Sequence, residues 1–414
     1  MKQQLLHTPE GVRDIYNKEC GKKLSLQRRL HNILHLYGYH DIQTPTFEFF
    51  DVFRKEVGTI ASKELYKFFD REGNTLVLRP DITPSIARVA AAIGEQEPMQ
   101  MRLCYIGNTF INHSSYQGHP KEHTQMGAEC IGDDLVEADA EMLAMVVDCL
   151  KSSGLETFQI HVGNAQFFRC LLEDAGLEEE QEKRLRELIG NRNYFGVDDY
   201  LKELNAKNSA KAAFSTLPSL VGGVEVLAKA KTIAPNERAV RAIERLEAVH
   251  KMLGYYDVQR FITFDLSMSG TYGYYTGIVF RGYTYGTGDA VVKGGRYDQL
   301  LEKFGRPSPS IGFVIIVDDL MNALTRQKIY IPYPDSNTLI LYDDGKEAEA
   351  VSLARELRGK NKNTEIIKKE SDQTVEDYVA YGLRNFAGSM VYLQHGREIQ
   401  MYNLKTGEQK VIKD

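Results

Sequence analysis

Tryptophan, paired cysteines and an excess of basic residues are all missing from this sequence of 414 residues. Its five cysteines are scattered and odd in number, which predicts idle or buried thiols in a reducing compartment rather than a disulfide framework. His119 and His123 are the only His or Cys pair to which we assign metal-ligand spacing, and both look exposed. No zinc site or other metal centre is therefore expected, and no cofactor is indicated.

Charge and hydropathy argue against nucleic-acid and membrane roles. Lys and Arg total 51 against 57 Asp and Glu, a formal net charge of −6, which leaves no basic footprint for nucleic acid. No apolar run approaches the ~18–20 residues of a membrane span. The N-terminal MKQQLLHTPEGVRDIYN has no apolar core of a signal peptide. We expect a cytoplasmic protein with neither a membrane nor a nucleic-acid partner.

The composition and the hydrophobic pattern divide the chain into several segments. Residues 1–325 alternate helical and strand-like patterns, but the part from about 170 to 253 is rich in Lys, Glu and Leu at helical spacing, which predicts a helical insertion. Residues 326–337 hold two prolines in a short polar stretch and are predicted to be a linker. Residues 338–414 have the apolar strand runs of a small α/β domain with a sheet buried on both faces. This last part has 12 basic against 13 acidic residues, so it carries no basic stripe.

A set of polar groups is predicted to lie on strands, two of them in YIGNTFINHSSYQGHPKEHTQMGAE, which opens and closes like a strand. Carboxylates beside tyrosines and an amide suit a small molecule that bears an ammonium group, such as an amino acid. Gly294 and Gly295 would let a backbone approach such a ligand closely. Each residue alone is more typical of structure than of binding, but their joint presence favours a site. The candidate residues are Asp81, Thr83, Gln125, Glu129, Tyr274 and Tyr275.

Five ordered motifs resemble the catalytic core of histidyl-tRNA synthetase, a class II aminoacyl-tRNA synthetase: TPEGVRD, LRPDIT, HTQMGAE, YYTGIVF and GGRYDQL. Their order and spacing match over roughly residues 8–325. The resemblance implies an α+β fold with a class II synthetase-like antiparallel sheet flanked by helices, and makes residues 338–414 similar to a reduced anticodon-binding domain. In the synthetases, the positions that match the six candidates surround the histidine substrate. The resemblance therefore implies a histidine site here, although Asp81 is one methylene shorter than the glutamate usual at its position.

Three positions depart from the synthetase pattern. Synthetases of this kind carry arginines there, which hold the α-phosphate of ATP, stabilise the charge of histidine activation and meet the γ-phosphate. Here the positions are occupied by Ile111, Gly270 and Asp319. One charge pair at ~4 Å in an effective dielectric near 20 contributes about 4 kcal/mol, so losing three removes much of the stabilisation that adenylyl transfer needs. Lys121 or Arg102 could compensate only through a new geometry.

A chain with amino-acid contacts and without nucleotide contacts is similar to the synthetase-like regulatory subunits of ATP phosphoribosyltransferase. That resemblance implies no catalysis on this chain. It implies a homodimer assembled with a short catalytic subunit into a hetero-oligomer for the first step of histidine biosynthesis, with L-histidine as the feedback effector. Two alternatives stay open. One is an active but divergent histidyl-tRNA synthetase, and the other is a different non-catalytic paralogue that binds RNA or a protein partner.

Overall fold

The computed structural model describes residues 6–53, 60–93, 100–113, 120–268, 274–333, 337–396 and 398–413. The chain forms two compact units. The first consists of Leu26–Ile331 with the segment that ends at Asp14, and the second consists of Ile15–Ser25 with Pro332–Asp414. None of the described helices combines the length and the apolar character needed to cross a membrane.

Two sheets form the framework of the first unit. Their strands are β1 His40–Asp41, β2 Phe47–Phe49, β3 Lys67–Phe69, β4 Thr75–Leu78, β5 Met101–Phe110, β6 Glu122–Ile131, β7 Phe158–Asn164, β8 Val221–Gly222, β9 Ile262–Asp265, β10 Ile278–Thr284, β11 Val292–Arg296 and β12 Ser310–Ile316. The larger sheet has the order β1-β5-β6-β12-β11-β10-β7-β9-β8, and the smaller one β2-β4-β3. Most neighbours are antiparallel, but β1 pairs with β5 and β7 pairs with β9 in parallel. The sheet is therefore mixed rather than purely antiparallel.

Ten α-helices accompany these sheets in the described chain: α1 Asn17–Leu36, α2 Thr83–Ile93, α3 Val136–Ser153, α4 Ala165–Ala175, α5 Glu179–Gly190, α6 Tyr194–Glu203, α7 Asn208–Thr216, α8 Glu225–Thr232, α9 Glu237–Tyr255 and α10 Val317–Arg326. Helices α4 to α9 occupy the segment that the sequence suggested as a helical insertion. Helix α9 packs on α3 and α4. Its apolar stripe is fully buried at Ile243, Leu246 and Val249, which is why this Lys- and Glu-rich segment folds onto the sheet.

The two faces of the large sheet differ because successive side chains of a strand point to opposite sides. On β6, Met126 and Ala128 lie in the main hydrophobic core with α3, α4 and α9. Gln125 and Glu129 point to the other face, where a smaller apolar cluster contains Ile86 from α2. The candidate polar residues of β6 are therefore held away from the main core, on the face that α2 borders.

The second unit is a small α/β domain. Its elements after the linker are β13 Asn337–Tyr342, α11 Glu347–Gly359, β14 Thr364–Lys368, α12 Val375–Arg384, β15 Ala387–Leu393, β16 Glu398–Asn403 and β17 Gln409–Lys413. The strand order is β14-β13-β15-β16-β17, with parallel pairs around β13 and antiparallel pairs beyond β15. On β13, Leu339 and Leu341 pack with Tyr378 of α12, and Ile340 packs with Ala350 of α11. The central strand is buried on both faces, as its apolar run predicts.

Candidate functional site

All six candidate residues line one cleft on the α2-bordered face of the large sheet. Gln125 and Glu129 come from β6, in agreement with the prediction of a strand. The other four residues were also predicted to lie on strands, but they do not. Asp81 lies in the turn after β4 and Thr83 begins α2, while the Tyr274–Tyr275 pair precedes β10. The remaining lining comes from Lys293, Gly294, Tyr297, Gly312, Phe313 and Val314. We call this cleft, lined by these twelve residues, the carboxyl pocket.

Glu129 is the centre of the carboxyl pocket. The hydroxyl of Thr83 donates a hydrogen bond to its Oε1 over 2.7 Å, and the hydroxyl of Tyr297 donates to its Oε2 over 2.5 Å. The side chain is fully buried, and burial raises the pKa of Glu129 to about 8, although the two hydroxyl donors act to lower it and Asp81 raises it further. Near neutral pH the carboxyl is therefore mostly protonated.

Asp81 is the second buried carboxyl of the pocket. Burial raises the pKa of Asp81 to about 6, against the lowering effect of hydrogen bonds from the backbone N–H groups of Thr83 and Ile82 and from Tyr274. The N–H of Thr83 lies 3.2 Å from Asp81 Oδ1, so the aspartate also shapes the start of α2. Two carboxyls whose pKa values are both raised by burial indicate a site that gains stability from a cationic ligand.

Other groups of the carboxyl pocket are also arranged for a small polar ligand. Gln125 Oε1 is buried and has no hydrogen-bond partner among the described residues, and such an acceptor is costly unless a ligand or water satisfies it. A Cβ added to Gly312 would lie 1.6 Å from Glu129 Oε2, so only glycine leaves room for that carboxyl. The cavity measures about 20 Å³, which holds about one water molecule. An amino acid can enter only if the lining side chains move apart.

Carboxylates cluster around the start of α10. Asp319, in the first turn of that helix, is half-buried. Burial raises the pKa of Asp319, and Asp289 and Asp318 raise it further, whereas His123 and Lys293 lower it. Three carboxyl groups therefore face one lysine and one histidine around this position. Such a balance disfavours a polyphosphate.

The position where the resemblance expects an α-phosphate ligand is occupied by an apolar residue. Ile111 is half-buried, and its N–H donates to the carbonyl of Lys121 over 2.9 Å. Arg102 does not compensate, because its Nη2 is bound to Glu141 Oε1 and donates to the carbonyl of Tyr37 over 3.1 Å. The third departure, Gly270, lies outside the described residues.

Sequence reasoning missed two polar side chains of the carboxyl pocket, Tyr297 and Lys293. Lys293 directly precedes the motif GGRYDQL, and Tyr297 lies within it. With Gly295 they occupy alternate positions along β11 and just beyond its end, on the side that faces the pocket. Strand alternation from the glycines would have found them. His123, expected from the sequence to be exposed, lies half-buried on β6.

A second cluster, outside the carboxyl pocket, corrects the metal-ligand survey of the sequence. His31 and His35 are four residues apart on α1, which is a ligand spacing that the survey overlooked when it singled out His119 and His123. The structure brings this pair together with Asp41 and Cys104, all four donor atoms lying within 4.8 Å of one another. His119 itself lies outside the described residues.

Comparison with known proteins gives the same family by sequence and by structure. The family model for histidyl-tRNA synthetase matches residues 11–320. The ATP phosphoribosyltransferase regulatory subunit of Acetivibrio thermocellus is 37% identical over 409 residues, which is 99% of this chain and 97% of the relative. The protein of the same name from Ruminiclostridium cellulolyticum is 34% identical over 407 residues, covering 98% of this chain and 96% of the relative.

Solved structures agree. A protein of Bacillus halodurans, described as an ATP phosphoribosyltransferase regulatory subunit/histidyl-tRNA synthetase, superposes with a TM-score of 0.84 at 30% identity, over 95% of this chain and 99% of its own. Histidyl-tRNA synthetase from a Nostoc species superposes with a TM-score of 0.82 over 98% of this chain and 96% of its own, and at 19% identity it bears on the fold alone. The fold class expected from the motifs is confirmed, with the sheet mixed rather than antiparallel throughout.

Proposed function

Because this chain belongs to the histidyl-tRNA synthetase family and, within it, to the regulatory subunits of ATP phosphoribosyltransferase, we propose that it works with a short catalytic subunit in the first step of histidine biosynthesis. The chain regulates that enzyme and catalyses no reaction itself. L-Histidine is its effector, and a homodimer within a larger hetero-oligomer is its assembly. The cytoplasmic location expected from the sequence stays a prediction.

The contrast between the carboxyl pocket and the positions at which the resemblance expects ATP contacts carries this proposal. The carboxyl pocket keeps two buried carboxyls and an unsatisfied amide oxygen, which suit an ammonium group and other N–H donors. At two of the positions where the resemblance expects cations for ATP, this chain has Asp319 and Ile111. Activation of histidine requires stabilisation of phosphate charge, and carboxylates oppose it. A site that binds an amino acid but not a nucleotide supports sensing rather than catalysis.

Feedback inhibition also requires that histidine bind one arrangement of the complex better than another. The carboxyl pocket has room for about one water molecule, so histidine must displace lining side chains, such as those of Thr83 and Tyr297, as it enters. Their displacement moves the start of α2 or the end of β11 relative to β6. A ligand-driven displacement of these elements is the change that the assembly would transmit to the catalytic subunit.

We expect calorimetric titration of the purified chain to detect L-histidine and not ATP–magnesium. Replacing Glu129 by alanine should weaken histidine binding by at least about tenfold, because a charge-assisted hydrogen bond contributes about 1.5–3 kcal/mol. Binding should also be tighter at pH 8 than at pH 6.5, since Glu129 is more often ionised there. Glu302→Ala, an exposed glutamate outside the pocket, is the matched control and should bind like the wild type.

Clear ATP binding would contradict the charge argument and support a divergent synthetase, for which an active histidyl-tRNA synthetase provides the positive control. Absence of binding by either ligand would move the histidine site to an interface that forms only with the catalytic subunit. If Glu129→Ala leaves the affinity for histidine unchanged, the carboxyl pocket is not the histidine site.

We further expect the short catalytic subunit encoded by the same genome to need this chain for full phosphoribosyl transfer. The Glu129→Ala chain should assemble with it and support the reaction, but half-inhibition should require at least about tenfold more histidine. Reaction rates across a histidine series, with Glu302→Ala in parallel, provide the measurement. Equal rates with and without the chain would exclude the regulatory role, whereas unaltered inhibition of the Glu129→Ala complex would exclude only the pocket.

A further inference from the structure

Four metal-ligating side chains converge on the sheet face opposite to the carboxyl pocket. His31 Nε2 lies 2.5 Å from Asp41 Oδ1, and His35 Nε2 lies 3.1 Å from Asp41 Oδ2. Cys104 Sγ lies 3.6 Å from Asp41 Oδ1. The two imidazole rings are 4.2 Å apart between centroids. All four donor atoms lie within 4.8 Å of one another. We call these four residues the His–Asp–Cys cluster.

Backbone geometry brings the cluster together without any ion. His31 and His35 are one helical turn apart, so both project from the same side of α1. The chain reverses directly after α1 at Gly38, whose φ of +79° favours glycine, and then enters β1. Strand β1 pairs in parallel with β5 in a register that sets Asp41 beside Cys104. Three adjacent elements therefore aim donors at one point.

The donor set fits a tetrahedral transition-metal ion. Zinc takes imidazole nitrogen and carboxylate oxygen at about 2.0–2.2 Å and thiolate sulfur at about 2.3 Å. A tetrahedron with such bonds places its donors about 3.3–3.8 Å apart. Of the separations in the cluster, 2.5 and 3.1 Å lie below that range, 3.6 Å lies within it, and the upper bound of 4.8 Å lies above it. Small rotations of the side chains would complete the geometry. Imidazole and thiolate favour Zn²⁺ over Mg²⁺ or Ca²⁺, which prefer oxygen donors.

We propose that the His–Asp–Cys cluster binds a divalent transition-metal ion, with Zn²⁺ as the best-fitting one. Access from solvent is open, because the side chains of His35 and Asp41 are 45% and 59% exposed, while Cys104 is fully buried. Four protein ligands leave no position for a substrate, so the site is structural rather than catalytic. The ion joins the end of α1 to β1 and β5, and so fixes that corner of the first unit.

A plain hydrogen-bond network is the competing explanation. In that case both histidines donate to Asp41 and the thiol forms a weak bond to the same carboxylate. This network and a bound ion account equally for the three contacts to Asp41. The two explanations differ in one measurable property, the affinity for Zn²⁺ or Co²⁺.

The test is titration of the untagged, chelator-treated full chain with Zn²⁺ by calorimetry and with Co²⁺ by absorption spectroscopy. We expect one ion per chain, tetrahedral Co²⁺ bands with a sulfur-to-cobalt charge-transfer band, and a rise of a few degrees in the melting temperature with Zn²⁺. His35→Ala, at an exposed position, should lower the affinity by at least about tenfold. Cys104→Ala should abolish the charge-transfer band.

His40→Ala is the matched control, because His40 neighbours Asp41 on β1 but is exposed and outside the cluster. It should bind Zn²⁺ like the wild type. If the wild-type chain binds neither ion, or if His35→Ala and Cys104→Ala bind as tightly as His40→Ala, the proposal is wrong. Melting temperatures of the three variants without metal show that each is folded.

Discussion

Replacing Asp139 by alanine is expected to destabilise the protein by about 3–5 kcal/mol, the cost of removing one partner from a buried ion pair. Asp139, in the first turn of α3, is fully buried, and Arg296 at the end of β11 is 2% exposed. Arg296 donates to Asp139 Oδ1 from Nε over 3.0 Å and from Nη2 over 2.7 Å. Arg245 of α9 donates to Oδ2 over 2.6 Å. One carboxylate therefore satisfies two guanidinium groups from different elements.

The loss of stability is large because the Asp139→Ala variant still contains the buried, charged Arg296. Without Asp139, Arg296 keeps the carbonyl of Asp133, the half-exposed Asp298 and, at 3.6 Å, the exposed Asp134. A buried charge that loses its nearest carboxylate is unfavourable. Loss of the pair also frees the residue next to Tyr297, the donor to Glu129. We expect the variant to weaken the carboxyl pocket as well as the fold.

The free energy of unfolding of each variant, obtained from urea denaturation of the first unit, provides the measurement. Glu137→Ala, an exposed acid in the same helical turn, is the matched control and should change stability by less than about 0.5 kcal/mol. Replacing Asp139 and Arg296 together by apolar residues should recover part of the loss, since no unpaired charge remains. A loss below about 1 kcal/mol for Asp139→Ala would show that water reaches the pair.

The second large effect concerns pH. The pKa of Glu129 is raised in the folded state from 4.5 to about 8, first by burial. The folded protein therefore holds a proton that the unfolded chain has already lost between these two values. The stabilisation is fully present below about pH 4.5, and it is lost as pH rises through about 8. The complete difference amounts to about 5 kcal/mol, of which about 4 kcal/mol falls between pH 5 and pH 9.

Glu129→Gln isolates this contribution, because glutamine keeps the shape of a protonated carboxyl and does not titrate. We expect its free energy of unfolding to lose about 4 kcal/mol less than the wild type does between pH 5 and pH 9. Chemical denaturation at several pH values measures both profiles. Glu302→Gln, exposed and outside the pocket, should follow the wild type. Parallel profiles for wild type and Glu129→Gln would mean that the carboxyl is ionised, and therefore hydrated, in the folded state.

Much of the carboxyl pocket could be predicted from the chain. The motifs LRPDIT, HTQMGAE and YYTGIVF identified six residues that the structure places around one cleft, although their role as histidine ligands stays a prediction. Tyr297 and Lys293 were missed, because a motif shows neighbours along the chain and a pocket is formed across strands. The assignment of Tyr274 and Tyr275 to a strand was wrong for a related reason. The strand-like sequence pattern begins before Ile278, the residue at which β10 begins to pair.

The sequence by itself determined the family and the fold class, and it shows no cation at the three positions where the resemblance expects nucleotide contacts, because these features depend on residue identity and order. Tertiary structure alone decided the rest. The protonation of Glu129 depends on burial, and the pocket's small volume depends on packing around Gly312. The pairing of Asp139 with arginines from β11 and α9 requires the fold to be complete. The His–Asp–Cys cluster exists because a turn at Gly38 and the register of β1 with β5 bring together residues that lie up to 73 positions apart. The pKa values, ion pairs and metal ligands of this protein depend on distances between side chains that are far apart in the sequence, and these distances are defined only in the folded structure.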